Sequence, residues 1–295
     1  MSRVLTVLAL GAVLVAGAPV RARQEQQPTF RAGVELVGVD VSVRERGRPV
    51  TGLQAKDFEV SDNGVPQSVI DVSYEKLPID VTVALDVSAS VTGFVLDQMR
   101  RAVGQLRGDL GAGDRLKVLS FNMRVKRLID FSDNGAAADA ALGQVRAFGS
   151  TSLLDTLAVS LVTPAQADRR QLVVVFSDGI DSGSVTSPST VVELAQHGTA
   201  TLAFVLPVVS PTPSATVTGR ELYTELASVT GGLVVQLQPR ADLAPTFRRV
   251  LDEFRASYVL HFAPKGVAHG GLHALDVRVH HSGADVRARK GYGSR

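Results

Sequence analysis

Three short polar groups in this sequence contain the oxygen ligands that a divalent cation requires. Asp86, Ser88 and Ser90 form an Asp-x-Ser-x-Ser motif directly after an apolar run. Thr151 closes a Gly-Ser-Thr group, and Asp178 lies in a Ser-Asp-Gly group after a second apolar run. Mg²⁺ takes about six oxygen ligands in proteins and keeps several waters among them. The hydroxyl ligands are neutral and would leave such an ion under-neutralised, so it would still accept a carboxylate from another molecule.

These groups must be brought together by the elements around them. Apolar runs alternate with stretches of helical spacing from Ile79 to Arg255. That alternation predicts an α/β fold, a doubly wound and mostly parallel sheet with helices on both faces. Each polar group follows a predicted strand or precedes a predicted helix, and ligands of open α/β sheets bind at the carboxyl ends of the strands. We therefore expect one site at that edge of the sheet.

The two ends of the chain have a different pattern. Residues 30–75 alternate apolar and polar positions, with turns expected at 47–49 and 62–64, and residues 258–290 alternate in the same way. Each segment is too small to bury a core alone, so the two are predicted to pack together as a second, smaller all-β module. The predicted organisation is a leader at 1–22, an N-terminal β segment at 23–76, the α/β domain at 77–256 and a C-terminal β segment at 257–295 that packs with 30–75.

The start of the chain has the pattern of a secretory signal peptide. Arg3 precedes an apolar run, and small residues follow up to Ala22. The apolar run is shorter than the roughly 20 residues that span a bilayer. We therefore expect cleavage near Ala22, export to the periplasm or the exterior, and no membrane span in the mature chain. The chain has no Cys, which argues against disulfides and against a lipid anchor on a mature N-terminal Cys.

The charge balance argues against nucleic acid as a partner. The chain has 31 Lys and Arg residues, of which Arg3 and Arg21 lie in the leader, so 29 remain against 29 Asp and Glu. A neutral mature protein with 5% aromatic residues lacks the positive field and the stacking side chains of nucleic-acid-binding proteins.

The order and spacing of the three motifs resemble the metal-ion-dependent adhesion site of von Willebrand factor A domains. The resemblance implies a Rossmann-like fold with one divalent cation per domain, Mg²⁺ or in its place Mn²⁺ or Ca²⁺. It also implies the ligand set: Asp86, Ser88, Ser90 and Thr151 contact the ion directly or through water, and Asp178 mostly through water. The family usually has Gly-Gly-Thr and Thr-Asp-Gly where this chain has Gly-Ser-Thr and Ser-Asp-Gly, and neither difference removes a ligand.

The resemblance continues outside the α/β region. Phe30-Arg31, Val50-Thr51-Gly52-Leu53, Asp57-Phe58-Glu59-Val60 and the closing run from Val286 to Tyr292 are similar to segments of the exported A-domain-related proteins abundant in acidobacteria. This implies membership of that exported subtype, which has no general function to transfer.

The sequence predicts a binding protein and not an enzyme. A partner protein would be captured through an Asp or Glu carboxylate that completes the coordination of the cation. One alternative is a structural envelope subunit whose metal only stabilises the loops. Another is a phosphoryl-transfer enzyme with Asp86 as nucleophile, but those enzymes need a second Asp two residues later, where this chain has Ser88. The sequence also contains no Gly-x-Ser-x-Gly or Walker motif.

Other residues with metal-ligating or charged side chains have simpler interpretations. Asp181 would add a further oxygen, but its position favours a surface turn. Five of the six His residues lie between His261 and His281 with no Cys or acidic cluster beside them, which argues against a specific zinc or copper site. The basic residues at 287–290 alternate with apolar ones, which predicts a solvated strand face and not a polyanion-binding patch.

Overall fold

The computed structural model of the chain describes residues 36–74, 77–91, 93–131, 135–166, 168–178, 180–207, 218–238 and 241–294. The predicted leader at 1–22 lies outside the described residues. Within the described ranges, no helix combines the length and the apolar character that a membrane crossing requires.

Strands and helices alternate along the middle of the chain, and strands alone occupy its two flanks. The strands are β1 (Val37–Glu45), β2 (Arg48–Pro49), β3 (Phe58–Asp62), β4 (Val65–Gln67), β5 (Val69–Tyr74), β6 (Ile79–Asp86), β7 (Arg115–Phe121), β8 (Val125–Ile129), β9 (Arg170–Phe176), β10 (Thr201–Pro207), β11 (Leu233–Leu237), β12 (Tyr258–Phe262), β13 (Gly271–Val279), β14 (Ala284–Ala288) and β15 (Gly291–Ser294). The helices are α1 (Gly93–Asp109), α2 (Gly135–Gly143), α3 (Leu153–Leu161), α4 (Pro188–His197), α5 (Thr218–Thr230) and α6 (Leu243–Arg255).

A six-stranded sheet in the order β11–β10–β9–β6–β7–β8 forms the centre of the α/β region. Its neighbouring strands are parallel except β8, which pairs antiparallel with β7. The link 122–124 between these two strands is too short for the crossover that parallel strands need. Every residue of β6 and β9 is buried, as expected of strands covered on both faces. The sheet is the doubly wound, mostly parallel α/β sheet that the sequence predicts.

Helices cover both faces of this sheet. On one face α1, α2 and α6 pack around buried Met99 and Phe247, and on the other α3, α4 and α5 pack around buried Leu157 and Val191. Helices on both faces require each parallel connection to cross over the sheet, so the carboxyl ends of β6, β7 and β9 lie at one edge.

The amino-terminal end of β6 carries a buried ion-pair cluster. Asp80 accepts hydrogen bonds from Arg115 at 2.5 Å and from Arg169 at 2.6 Å. Burial raises the pKa of Asp80, but the hydrogen bonds and charges of the two arginines outweigh burial, so the pKa lies below its ordinary value of 3.8. The arginines therefore keep this carboxylate ionised inside the protein.

The flanking strands β1–β5 and β12–β15 form what we call the β-module. β1 pairs with β12 and β14, and β12 pairs with β5, while β13 pairs with β3 and β15, all antiparallel. Val39, Val41, Phe58, Tyr258 and Phe262 belong to one buried cluster that these sheets share. Strands from the two ends of the chain thus complete each other's sheets.

A buried arginine joins the β-module to the α/β region. Arg170, at the start of β9, pairs with Asp40 of β1 at 2.6 Å and donates to the Phe254 carbonyl at 2.8 Å and to the Ser257 hydroxyl at 2.6 Å. Its guanidinium also lies over the Phe254 ring, 4.0 Å from the centroid. Because the Arg170 side chain is 4% exposed, these contacts replace water around its charge.

Two local predictions in the flanks need correction. The first turn lies slightly earlier than predicted, at 46–47, where both residues have positive φ, and β2 occupies the rest of the predicted turn. The predicted solvated face at 287–290 is wrong for Arg289, which is buried and donates to the carbonyls of Gly291, Ala195 and Gly198. The last two carbonyls lie at the C-terminal end of α4, where a cation is favourable. Alternation along one strand cannot reveal such a neighbour.

Candidate metal centre

The first predicted ligand, Asp86, is the last residue of β6 and is 1% exposed. Its Oδ1 accepts from the backbone N–H of Ser88 at 2.9 Å, and its Oδ2 accepts from the hydroxyl of Ser177 at 2.7 Å. Burial raises the pKa of Asp86; the hydrogen bonds from Ser177 and Ser88 oppose this rise, and the charge of Asp178 adds to it. Asp86 is thus fixed in place at a position that disfavours its charge.

Ser88, Ser90 and Asp178 form a chain of hydrogen bonds beside Asp86. The hydroxyl oxygens of Ser88 and Ser90 lie 3.0 Å apart, and the Ser90 hydroxyl donates to Oδ2 of Asp178 at 2.8 Å. Oxygens at about 2.1 Å from an octahedral Mg²⁺, at right angles to each other, lie about 3 Å apart. The spacing of these oxygens therefore fits adjacent ligands of one cation.

Backbone hydrogen bonds hold the segment of Thr151 against this group. The Ala89 N–H donates to the Gly149 carbonyl at 3.0 Å, and the Phe148 N–H donates to the Val87 carbonyl at 3.0 Å. Thr151 itself is buried, and its N–H donates to the hydroxyl of Ser182 at 3.1 Å. The structure thus links four of the five predicted ligands through side-chain and backbone hydrogen bonds and ties the loop of the fifth to the same edge.

The loop that follows Asp178 is supported from α3. Asp155 accepts from the N–H groups of Val185, at 3.2 Å, and Thr186, at 2.9 Å. Burial raises the pKa of Asp155, but hydrogen bonds from the Thr186 side chain and from these two N–H groups outweigh it, so the pKa is lowered. Oδ1 of Asp181 accepts from the Ser184 N–H at 3.1 Å, which is the turn role expected of Asp181.

The two carboxylates of the site, Asp86 and Asp178, give it a negative electrostatic environment. No ion pair within the described part of the chain includes Asp86 or Asp178. Burial raises the pKa of Tyr223 in α5, and the charges of Asp181, Asp178 and Asp86 raise it further. Two clustered carboxylates without a positive partner are the arrangement that a bound cation stabilises.

Sequence reasoning missed two residues that position this site. The sequence places Ser177 in the third motif but indicates no role for it, and Asp155 lies outside all three motifs. The hydrogen bond from Ser177 to Asp86 follows from strand register, because β6 and β9 are neighbours and Leu85 lies opposite Phe176. A Ser or Thr directly before the Asp of the third motif, here Ser177 before Asp178, is the sequence signal for such a donor. Asp155 gives a weaker signal, because it is an acidic residue in the first turn of a helix.

The histidines of the β-module do not form a shared site. Four of the five pair with four different carboxylates: His261 with Asp71, His273 with Asp62, His280 with Glu59 and His281 with Glu45. Among the residues that the structure describes, no three His, Cys, Asp or Glu side chains cluster as metal ligands. The candidate metal centre differs from such clusters because most of its oxygens are hydroxyls.

The doubly wound sheet and the oxygen cluster at its carboxyl edge define an α/β domain with a candidate cation site. The family model of the von Willebrand factor type A domain matches residues 80–238, more than half of the chain. The chain therefore belongs to the von Willebrand factor type A domain family, which confirms the resemblance of its motifs. Domains of this family commonly mediate protein–protein interaction and often bind a divalent metal at the adhesion site.

Known proteins resemble parts of the chain. Inter-alpha-trypsin inhibitor heavy chain H4 of Sus scrofa is 24% identical over 178 residues, which are 57% of this chain and 18% of that protein. An uncharacterized Synechocystis protein is 31% identical over 108 residues, 35% of this chain and 26% of that protein. The chain spans about a quarter or less of these curated relatives. A von Willebrand factor type A structure from Catenulispora acidiphila covers 88% of this chain and 75% of its own, with 12% identity and a TM-score of 0.50, and so shares the fold.

Proposed function

We propose that this protein binds a partner protein through one divalent cation held by Asp86, Ser88, Ser90, Thr151 and Asp178. The cation is Mg²⁺, or in its place Mn²⁺ or Ca²⁺, and it accepts an Asp or Glu carboxylate of the partner. One observation carries the proposal: Asp86 accepts from the Ser88 N–H, and the paired Ser88 and Ser90 hydroxyls lead on to Asp178. Neither carboxylate has an ion-pair partner in the described part of the chain.

The residues of the site have different roles in binding the cation and the partner. Asp86 is buried and fixed by two hydrogen bonds, so it anchors the ion. Ser90 is exposed and Asp178 is half-buried, so these two residues mark the side from which a carboxylate approaches. When bound, the cation supplies positive charge and an open coordination position. Because the hydroxyls are neutral and Asp178 acts mostly through water, only Asp86 neutralises the ion directly, which leaves positive charge available to a partner carboxylate.

The two alternatives have weaker support. A structural envelope subunit would close its metal off with protein oxygens, whereas Ser90 leaves this site open to solvent. A phosphoryl-transfer enzyme would need Asp86 as a free nucleophile, but both of its oxygens accept hydrogen bonds. Ser88 also occupies the position where such an enzyme needs its general acid. We therefore propose binding without catalysis.

Calorimetric titration of the full chain with Mg²⁺ and Mn²⁺ tests the metal site. Wild type should bind one ion, and Asp86→Ala should abolish binding because it removes the anchoring carboxylate. Asp97→Ala is the control, since Asp97 is an exposed acid of α1 that pairs with Arg100. Equal metal affinity in wild type and Asp86→Ala would contradict the proposal.

Water access separates a binding site from a closed structural site. In the Mn²⁺-loaded protein, proton relaxation of the solvent should be enhanced by water on the open position, and an acetylated, amidated peptide containing Glu should reduce that enhancement. The same peptide with Gln in place of Glu should have no effect. A loaded protein without enhanced relaxation would favour the structural alternative.

The cellular setting and the domain organisation are further parts of the proposal. We propose that 1–22 is a cleaved leader, that 77–256 is the A domain, and that 23–76 and 257–295 build the β-module of an exported protein of the acidobacterial type. The antiparallel pairing of β1 with β12 and β14 supports the joint module. Mass spectrometry of the protein recovered from the cell envelope or the medium should show a mature N-terminus near residue 23. An intact leader would argue against export by cleavage.

A further inference from the structure

A cavity of about 440 Å³ lies next to the candidate metal centre, between the β7–β8 hairpin and the end of α2. Val87, which stands between two predicted ligands, is part of its lining, and so is Phe148, whose N–H donates to the Val87 carbonyl at 3.0 Å. The cavity and the metal centre therefore share a wall. Its volume is within the range of about 300–1,000 Å³ found for ligand sites.

Two polar side chains with hydrogen-bond donors line this cavity. Ser120 and Asn122 are 5% and 7% exposed, and both line it. Oδ1 of Asn122 accepts from the Arg124 N–H at 3.1 Å, and its amide NH₂ group donates to no residue that the structure describes. The Ser120 hydroxyl has no hydrogen-bond partner within the part of the chain that the structure describes. A hydroxyl and an amide NH₂ group are both donors that a ligand with acceptor oxygens can contact.

Three cations surround the opening. Arg124, Lys126 and Arg146 line the cavity and are exposed, and none has a carboxylate partner among the described residues. Arg146 donates only to the backbone carbonyls of Gly143 and Val145. The described lining contains no Asp or Glu. By contrast, Arg127 on the same strand, which does not line the cavity, pairs with Asp130 at 2.8 Å. The described charged residues that line the cavity are therefore all cationic, and the cavity adjoins the candidate metal centre with its two carboxylates.

Apolar surface accompanies these charges. Val125, Leu128 and Val145 form part of the walls. Phe148 and Met123 are 55% and 52% exposed, and a Cβ added to Gly149 would lie 3.2 Å from Cε of Met123, so Met123 borders the Thr151 loop. Large exposed apolar residues beside a polar pocket are typical of a protein contact surface. An acidic side chain with an aliphatic stem, such as Glu, complements both properties.

We propose that this cationic pocket takes a second acidic side chain of the same partner segment whose first carboxylate binds the cation. The partner is therefore a diacidic segment and not one with an isolated Asp or Glu. The inference rests on the proposed function for the position of the first carboxylate. Burial of the second carboxylate against Ser120, Asn122 and the three cations replaces its lost hydration.

Short fluorescent peptides test this specificity on the full chain. Acetylated, amidated peptides with two Glu residues separated by one, two or three Ala are compared with versions in which either Glu is Gln. Fluorescence anisotropy in Mg²⁺ should show the tightest binding for one diacidic spacing. The Kd of that peptide should rise by about threefold to tenfold in each of the variants Lys126→Ala and Arg146→Ala, as expected for charge-assisted contacts. They should leave the monoacidic peptides unchanged, and Arg127→Ala is the matched control.

The outcomes separate the pocket from the metal site. Equal binding of diacidic and monoacidic peptides to wild type, or no binding of either, overturns the inference. So does an equal effect of Arg146→Ala and the Arg127→Ala control. If EDTA and Asp86→Ala abolish binding while the pocket variants do not change it, the proposed function stands and the pocket inference fails. If the pocket variants weaken binding but EDTA and Asp86→Ala do not, the pocket is an anion site and the proposed function fails.

Discussion

Ser177→Ala tests whether the Ser177 hydroxyl positions Asp86. Ser177 is fully buried, and its hydroxyl donates to Oδ2 of Asp86 at 2.7 Å. Hydrogen bonds to charged groups contribute about 1.5–3 kcal/mol. Without divalent cations, the substitution should lower the free energy of unfolding by that amount. At about 2–4 °C per kcal/mol for a domain of this size, the melting temperature should fall by roughly 3–12 °C.

The same substitution should weaken the binding of the cation. Groups that orient a metal ligand account for about 10–100-fold in affinity, so the Mg²⁺ Kd should rise by that factor. Isothermal titration calorimetry measures the Kd, and urea unfolding with and without Mg²⁺ measures the linked stability. Ser177→Thr keeps a hydroxyl at this position and should retain most of the affinity.

Ser160→Ala is the matched control for the loss of a buried hydroxyl. Ser160 donates to the Thr156 carbonyl at 2.8 Å, a neutral hydrogen bond within α3. Its removal should cost about 0.5–1.5 kcal/mol and leave the Mg²⁺ Kd unchanged. An unchanged Kd for Ser177→Ala, or equal stability losses in the two variants, would refute the idea that Ser177 acts through Asp86.

Three further predictions concern the stability of the fold. Arg170→Met should lower the free energy of unfolding by about 3 kcal/mol in urea titrations, because it leaves Asp40 without its buried partner. Arg278→Met is the control: the Arg278 side chain is 74% exposed in its ion pair, so this variant should lower the free energy of unfolding by under about 1 kcal/mol. The ionised Asp80 should contribute fully to the free energy of unfolding above its ordinary pKa of 3.8, and this contribution should be lost as the pH falls through the lowered pKa of the folded state. In acid titrations, the difference in stability between wild type and Asp80→Asn should therefore narrow below pH 3.8 and stay constant near neutral pH. Gly232→Ala should prevent soluble expression, because the new Cβ would lie 1.8 Å from the Leu202 carbonyl oxygen. Gly104→Ala in α1, whose new Cβ would have no atom within 4 Å, should stabilise the helix by about 0.5–1 kcal/mol and raise the melting temperature. Equal behaviour of the two glycine variants would contradict this prediction.

The alternation of strands and helices in the α/β region is predictable because burial on both faces leaves continuous apolar runs such as β6 and β9. Strands β5 and β15 are not predictable in that way. Ile70 of β5 is 60% exposed, so the strand lacks a clean alternation. β15 contains two glycines, which usually weaken a strand. Here glycine allows the backbones of β15 and β13 to approach closely, since a Cβ on Gly291 would lie 2.5 Å from the His273 carbonyl oxygen.

The candidate ligands are predictable because each follows a strand or precedes a helix at one edge of the sheet. Their supports are not, because they depend on which strands are neighbours. The role of Ser177 requires β6 and β9 to be adjacent and in register. The cationic pocket requires the β7–β8 hairpin to lie beside α2, which brings Lys126 and Arg146 together from separate elements. Tertiary contacts of this kind leave no periodic signal along the chain.

The two-ended construction of the β-module also has a consequence for biosynthesis. The Tyr292 hydroxyl donates to Asp62 at 2.6 Å across a sequence separation of 230 residues. A chain made from its N-terminus therefore holds β1 and β3 with unpaired edges until β12–β15 have been synthesised, and such edges are prone to aggregation. Contacts this distant in sequence slow folding. Strands β12–β15 thus complete the sheets of β1 and β3, and the β-module becomes one folding unit only after the α/β domain between its two segments has been synthesised.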